Sequence, residues 1–143
     1  MKHILIALIV ASSLPAAAGE AVLQDVRGHV RVIDGDTFWI LTPHRRVEIR
    51  PGGIDAPELK QRCETVDHLD LWPAGIAARD WLAGFLKDRR VMCWLTGETS
   101  YRRLIADCLV DGRPLQDAIV RAGWAFDYRR YSGGRHAAAE DAA

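Results

Sequence analysis

The 143-residue chain carries 19 Lys plus Arg and 19 Asp plus Glu, so its formal net charge is zero. This balance gives no support to a protein that coats nucleic acid through bulk positive charge, because such proteins are usually clearly basic. The length suits one domain with a hydrophobic core and is short for two, so we expect one domain.

Residues 1–18 have the pattern of a secretory signal peptide. Lys2 precedes an apolar run over residues 4–11, and small residues lead up to a cleavage site after Ala18. A transmembrane anchor needs about 18 or more consecutive apolar residues, and Pro15 helps to interrupt this run. We therefore expect a secreted or periplasmic protein that has no membrane attachment once the leader is cut.

The rest of the chain combines short β-runs with two helical patterns. Residues 19–27 form a poorly specified lead-in, and Gly and Pro then mark each reversal. The five predicted strands are His29–Ile33, Thr37–Leu41, Arg45–Arg50, Arg90–Leu95 and Arg103–Val110. Apolar residues at three- and four-residue steps predict helices over Pro73–Lys87 and Pro114–Ala122. Residues 132–143 lack a core-forming pattern, so we expect a mobile tail.

Alternation along the second and third strands assigns their faces. Phe38 and Ile40, and then Val47 and Ile49, fall on one face at two-residue spacing, which is typical of a core-facing side. The polar residues of the third strand lie on the opposite face; they are Arg46, Glu48 and Arg50. Periodicity alone indicates an α+β protein that is mainly β and barrel-like.

Four carboxylates lie in two short runs at the ends of predicted strands. Asp34 and Asp36 belong to DGDT, Asp55 and Glu58 belong to IDAPE, and Arg50 precedes the second run. Such carboxylates repel one another unless a cation or paired arginines neutralise them, so the pattern indicates a divalent-metal site facing an anionic substrate such as a phosphodiester. Taken separately, the first run could be only a hairpin turn and the second only a capped loop.

Two of the three cysteines lie in neighbouring predicted strands. Cys93 and Cys108 flank a short polar turn, and antiparallel pairing of their strands makes a disulfide between them geometrically reasonable. Such a link could contribute about 3 kcal/mol for a loop of roughly 15 residues. Cys63 is then left over, and no two cysteines have the close spacing of a structural zinc site.

The ordered set of motifs resembles the staphylococcal nuclease-like (thermonuclease) family. The motifs are VIDGDT at 32–37, Arg50, IDAPE at 54–58, Tyr101-Arg102-Arg103, and Asp111-Gly112 followed by LQDAIVRAG at 115–123. The resemblance runs from about Val30 to Tyr131 and implies a five-stranded OB-fold barrel with two to three helices packed on it. It also implies a Ca²⁺-dependent, sugar-non-specific nuclease that hydrolyses DNA and RNA. We expect this nuclease to favour single-stranded or flexible segments and to be a monomer.

The same resemblance implies a metal site and a base. Asp36 and Asp55 would be calcium ligands, helped by a backbone carbonyl near Ala56, with Asp34 close by. Ligation by oxygen alone fits a hard cation such as calcium and argues against zinc or copper. Glu58 matches the position of the family's general base.

It also implies how the substrate is held. Arg50 and Arg103 match the two arginines that grip the scissile phosphate, and Tyr101 matches a phosphate-contacting tyrosine. Tyr131, and less directly Tyr128, match tyrosines that stack on a nucleotide base.

Three departures from the family pattern keep other functions open. Pro51 follows Arg50 and removes a backbone donor, Arg102 replaces a common glycine, and Ala74 stands where exported relatives have a cysteine that could pair with Cys63. A weak or inactive OB-fold module that binds single-stranded nucleic acid is the first alternative. A non-enzymatic interaction domain is the second.

Overall fold

The computed structural model describes residues 22–24 and 29–143, and the predicted leader lies outside them. The described strands are β1 Val22–Gln24, β2 Val30–Asp34, β3 Thr37–Leu41, β4 Arg46–Pro51, β5 Ile54–Asp55, β6 Cys63–Glu64, β7 Leu71–Trp72, β8 Val91–Ser100, β9 Arg103–Val110, β10 Arg113–Pro114 and β11 Phe126–Asp127. The described helices are α1 Ala74–Leu86, α2 Leu115–Arg121, α3 Arg129–Ser132 and α4 Ala137–Glu140. Within this part of the chain, no helix is both long enough and apolar enough to cross a membrane.

The main sheet has the strand order β1-β8-β9-β4-β3-β2, with β10 added to β9. The pairs are antiparallel except for β4 with β9, which run parallel because the chain between them crosses over through α1. The five long strands are the five predicted ones, and the prediction of a mainly β protein with helices packed on it is confirmed. Strand β1, which pairs with β8, lies in the segment predicted to be irregular.

The core lies between the inner face of the sheet and the helices. Phe38, Ile40, Val47 and Ile49 are all at most 6% exposed, so the alternation predicted for β3 and β4 is confirmed. Burial of such side chains removes apolar surface from water and stabilises the fold by roughly 25 cal/mol per Å² of that surface. The same alternation leaves the opposite face of β2, β3 and β4, called the outer face below, for polar residues.

Helix α1 begins at Ala74, as the proline before it predicted. Its buried side is formed by Gly75, Ala78, Leu82 and Leu86. Ile76, one of the apolar residues at three- and four-residue steps that predicted this helix, is 43% exposed. The buried side is displaced from that pattern because small residues let the first turns of α1 approach the neighbouring loops closely. A hydrophobicity pattern does not register such an approach.

The Cys93–Cys108 disulfide joins directly opposed residues of β8 and β9. Their Cα atoms are 4.1 Å apart, and both residues are buried in the core. Cys63 is a free, partly exposed thiol opposite Trp72 in the β6–β7 hairpin.

The predicted mobile tail is corrected, because residues 132–143 contain the end of α3 and all of α4. Ala139 is 3% exposed, and the Nδ1 atom of the buried His136 lies 2.6 Å from Asp117 Oδ1 on α2. Arg135 also contacts Asp107 on β9, with Nη2 2.8 Å from Oδ1. Ion pairs and one small buried residue attach this segment, and neither feature produces an apolar period in the sequence.

Candidate active site

The turn between β2 and β3 packs tightly against the loop that follows β5. A Cβ atom added to Gly35 would lie 2.8 Å from Ala56 Cβ and 2.9 Å from Ala78 Cβ on α1. Such separations are too short for carbon atoms, so only glycine lets this turn reach both neighbours. Gly35 therefore brings the DGDT run next to the IDAPE run.

Asp36 is the most buried carboxylate of these two runs, with a side chain only 5% exposed. Its Oδ1 accepts hydrogen bonds from Arg50 Nη1 at 2.7 Å and from Thr37 Oγ1 at 3.3 Å. Its Oδ2 accepts a hydrogen bond from the Ala56 backbone N–H at 3.1 Å. Asp34 orients the turn, because its Oδ1 accepts the Asp36 N–H at 3.1 Å.

Burial raises the pKa of Asp36 from 3.8 to about 6. The Arg50 guanidinium and the Ala56 N–H lower this pKa, while the nearby carboxylates of Asp34 and Asp55 raise it further. The negative charge on Asp36 is thus only partly compensated by its neighbours. A site with this imbalance favours an additional cation.

Arg50 joins the two acidic runs. Besides its contact with Asp36, its Nη2 lies 3.4 Å from Asp55 Oδ1, so Asp36 and Asp55 approach the same guanidinium. The Arg50 side chain is 15% exposed and that of Asp55 is 56% exposed, which places the open side of the cluster at Asp55. Pro51 does not displace Arg50, because β4 ends at this proline and the next N–H, of Gly52, bonds to Ala106 O at 2.9 Å.

Thr37 connects Arg103 to this cluster. Arg103 Nη1 donates to Thr37 Oγ1 at 3.2 Å, and Arg103 Nη2 donates to Ser100 Oγ at 3.2 Å. Thr37 is 1% exposed and was not singled out from the sequence, although a hydroxyl at the start of a core strand, inside an acidic motif, is a usable signal. A depression of about 430 Å³ opens beside it; its lining residues are Ile33, Asp34, Thr37, Glu48, Tyr101, Arg102 and Arg103.

Glu58 lies in the turn after β5 and is exposed. Its backbone is fixed, since its N–H donates to Gln61 Oε1 at 3.1 Å and its carbonyl accepts the Gln61 N–H at 2.7 Å. A Cβ atom on Gly75 would come within 1.8 Å of the Glu58 carbonyl oxygen, so the start of α1 presses directly on this turn. The carboxylate itself makes no hydrogen bond or ion pair with the described residues and is available to solvent.

The predicted tyrosines lie in two separate places around the cluster. Tyr101 is 96% exposed in the turn from β8 to β9, two residues before Arg103. Tyr128 and Tyr131 form an edge-to-face pair with ring centroids 4.8 Å apart just after β11, the strand that pairs with β5. Phe126, which sequence reasoning missed, is 71% exposed and directly opposes Asp55 in that pairing.

Comparison with known proteins identifies the family. A family model described as "Staphylococcal nuclease homologue" matches residues 48–142. The chain belongs to the staphylococcal nuclease homologue family. The match extends through α4, which agrees with the packing of that helix on the domain.

Proteins similar to this chain include three from Escherichia coli. A protein of strain O157:H7 and another of E. coli, both named "Uncharacterized endonuclease", are each 31% identical over 110 residues, covering 76% of this chain and 65% of theirs. E. coli "Protein ParB" is 34% identical over 133 residues, covering 81% of this chain and 69% of that protein. The chain thus spans about two thirds of the length of these relatives.

The matched range of the nuclease-family model begins after the DGDT run. It includes Arg50, Asp55, Glu58 and Arg103, and it leaves out Asp36. The Arg50–Asp36 ion pair attaches the unmatched run to the matched domain. The ion pair therefore joins a turn outside the matched range to a residue inside it.

The carboxylates around Arg50 form part of the ligand set that a hard cation needs. Among the described residues, no three His, Cys, Asp or Glu side chains form a group that could hold a metal ion. Calcium takes 6–8 oxygen ligands, often including backbone carbonyls and waters. Asp36 and Asp55, which approach one guanidinium, would supply the anionic part of such a set, and solvent has access on the Asp55 side.

Proposed function

We propose that this protein is a nuclease that hydrolyses phosphodiester bonds of DNA and RNA in a calcium-dependent reaction, with a preference for single-stranded or flexible segments. The single observation that carries the proposal is the arrangement of Arg50 between Asp36 and Asp55, at 2.7 and 3.4 Å, with Arg103 linked to Asp36 through Thr37. Binding of a strand alone does not need an acidic cluster beside the phosphate-holding arginines.

The two arginines hold the scissile phosphate. A guanidinium offers N–H donors in a planar fork that matches two phosphate oxygens, and it stays charged at any physiological pH. Negative charge grows on the phosphoryl oxygens as a fifth oxygen approaches phosphorus. Donors already fixed by Asp36, Thr37 and Ser100 meet that charge without reorganising, which lowers the barrier.

Glu58 accepts the proton of the attacking water. The water oxygen forms the new bond to phosphorus, its proton passes to the Glu58 carboxylate, and the bond to the leaving oxygen breaks as that oxygen takes a proton from solvent. The fixed backbone and free carboxylate of Glu58 suit this role, because the group keeps its position and remains open to water.

Asp36 and Asp55 would hold the calcium ion, together with the carbonyl of Ala56 and with Asp34 nearby. When bound, the ion would polarise a phosphoryl oxygen and help to position the water.

Cleavage of denatured DNA tests the proposal. The unaltered protein and Glu58→Gln are incubated with the substrate in calcium or in chelator. Glu64→Gln serves as a control because the Glu64 side chain is exposed and its carboxylate, among the described residues, forms an ion pair only with His68. We expect calcium-dependent cleavage. Glu58→Gln is expected to lower its rate about 10²–10⁴-fold, and Glu64→Gln is expected to leave the rate unchanged. Retention of the strand without cleavage in either condition supports the binding module instead, and neither cleavage nor retention supports the interaction domain.

We also propose that the protein works outside the cytoplasm. The charged, apolar and small-residue segments of residues 1–18 support this, and so does the buried Cys93–Cys108 disulfide, since disulfides persist in oxidising compartments. N-terminal sequencing of the protein from the periplasm or the medium is expected to begin after Ala18. A cytoplasmic protein that retains residues 1–18 contradicts the proposal.

A further inference from the structure

We infer that the outer face of β2, β3 and β4 carries a second anchoring site for the substrate strand, formed by Arg31, Trp39 and Arg46. These three residues are called the Arg–Trp–Arg stack below. The inference rests on the proposed function and adds to it a track for single-stranded nucleic acid that leads away from the scissile phosphate.

The stack is built from cross-strand neighbours. Arg31 lies opposite Trp39, and Trp39 lies opposite Glu48. Arg31, Trp39 and Glu48 therefore form a row across β2, β3 and β4. The Cζ atoms of Arg46 and Arg31 lie 4.4 and 5.6 Å from the Trp39 ring centroid. Trp39 Nε1 donates to Glu48 Oε2 at 3.2 Å, which fixes the indole in the row.

The two guanidiniums of the stack remain available for an anionic partner. Arg31 and Arg46 are exposed, and neither has a carboxylate within ion-pair distance in the described part of the chain. Held over an indole, each guanidinium has less rotamer freedom to lose on binding than an ordinary surface arginine has. A guanidinium that has no carboxylate partner and is already held in place suits a secondary contact with a phosphate of the strand.

The stack is continuous with the phosphate-holding residues. Arg46, Glu48 and Arg50 alternate on the same side of β4, and Thr37 and Trp39 do so on β3. Strands rise about 3.3 Å per residue, so Arg46 lies about 13 Å along β4 from Arg50. Glu48 lies between them and also lines the depression beside Arg103. A strand bound at Arg50 thus reaches the stack after a few nucleotides.

Unpaired bases are the chemistry that this face suits. A guanidinium held over an indole offers its other side to a nucleobase. Bases in single strands are free to stack in this way, whereas those in a duplex are not. The Glu48 carboxylate repels phosphate, and it is able to accept a hydrogen bond from a base amino group. We therefore expect a base of the strand to contact Glu48, and phosphates of the strand to contact Arg31 and Arg46.

Salt-dependent binding tests this inference directly. A single-stranded oligonucleotide of about twelve nucleotides, within the ~4–16 that one OB fold covers, is titrated in calcium with Glu58→Gln protein, which does not consume it. The stack is removed by adding Arg31→Gln and Arg46→Gln. The matched control adds Arg113→Gln and Arg121→Gln, two exposed arginines on β10 and α2.

Removing two phosphate contacts reduces the slope of log K against log salt by about 1.4, because each contact on a single strand contributes about 0.7. The control is expected to keep the full slope and affinity. Arg46→Lys is expected to keep most of the slope and still lose affinity, because an ammonium keeps the charge without the stacking plane. Slope and affinity equal to those of the control overturn the inference, and an equal loss on a duplex of the same sequence overturns its restriction to single strands.

Cleavage kinetics separate this inference from the proposed function. In protein that retains Glu58, loss of the stack is expected to raise KM for the long strand several-fold and for a dinucleotide less, with the control variant unchanged on both. If the unaltered protein cuts neither substrate, the proposed function fails, while the binding titration still reports on the stack. If it cuts both and KM for the long strand matches the control, the inference fails on its own.

Discussion

Two arginine–carboxylate clusters in this protein differ in ways that separate a structural contact from a functional one. Arg135 pairs with one carboxylate, that of Asp107, and both side chains are nearly half exposed, at 45% and 48%. Arg50 lies between Asp36 and Asp55, with Asp34 nearby, and the Asp36 carboxylate is almost fully buried. The first cluster is balanced and attaches α4, whereas the second has more carboxylates than guanidiniums, and one of those carboxylates is buried.

Burial of an ionisable carboxylate costs folding free energy and persists where the site gains something from it. In the Arg50 cluster, the proposed gain is affinity for a cation and then for a phosphate. In the Arg135 cluster, the gain is the position of one helix. Variants of the two clusters are therefore expected to affect different measurements.

The largest difference is expected in catalysis. Arg50→Gln removes a donor that meets the developing phosphate charge, so the cleavage rate is expected to fall about 10²–10³-fold, whereas Arg135→Gln leaves it near that of the unaltered protein. Rates are measured well below the melting temperature, because Arg50→Gln also leaves Asp36 buried without its partner. Equal losses from the two variants would contradict the distinction between the clusters.

The pH dependence of stability is expected to show the charge excess at Asp36. Burial raises the pKa of Asp36 to about 6, from 3.8, so between those values the folded state holds a proton that the unfolded state has released. In chelator, the free energy of unfolding is therefore expected to fall relative to that of Asp36→Asn as pH rises from about 4 to about 6, by an amount on the order of 3 kcal/mol. Urea denaturation of both proteins measures this difference in the free energy of unfolding. A rise of the difference over the same pH range would mean that Arg50, and not burial, has the larger effect on the pKa of Asp36.

Glycine substitutions test how the Arg50 cluster is assembled. In Gly35→Ala, the new Cβ would meet Ala56 and Ala78 at less than 3 Å, so the turn has to move, at a cost of about 1–3 kcal/mol in stability together with a loss of cleavage. Gly84→Ala on α1 has no atom within 4 Å of its new Cβ and is expected to stabilise the protein by about 0.5–1 kcal/mol with cleavage unchanged. Thermal melts and initial rates of both variants check this. Unchanged cleavage in Gly35→Ala would show that the two acidic runs do not need this close packing.

The smallest effect is expected at the balanced cluster. A double-mutant cycle of Arg135→Gln and Asp107→Asn is expected to give a coupling of about 1 kcal/mol or less, as for other exposed pairs, and the coupling should shrink in high salt. A larger coupling that persists in high salt would show that this pair, too, acts as a buried group.

The sequence predicted those features that produce a pattern among residues close together in the chain, such as alternation along a strand. Strand alternation predicted the core positions of Phe38 and Ile49, and the pairing of two neighbouring strands pointed to Cys93 and Cys108. The acidic motifs identified the residue types of the candidate site. The two motifs come together because Gly35 has no Cβ atom, and a periodic pattern in the sequence does not show such close packing. Close packing of this kind has to be read from coordinates.

The remaining differences have the same origin. The buried side of α1 follows Gly75 and Ala78, because contact there is made by backbone and not by large apolar side chains. The C-terminal segment is attached by Arg135 and His136, whose partners are distant in sequence. Thr37 acts as a bridge only because Arg103 reaches it from β9, 66 residues away.

A calcium titration of the cleavage rate tests the central claim most directly. Initial rates on denatured DNA are measured for the unaltered protein and for Asp55→Asn, whose altered side chain is largely exposed and therefore compatible with the fold. We expect no cleavage in chelator, a rate that saturates with calcium, and a shift of the Asp55→Asn curve to higher calcium. Cleavage that is equal in chelator and in calcium, or identical curves for the two proteins, would contradict a site in which carboxylates from two turns share one cation.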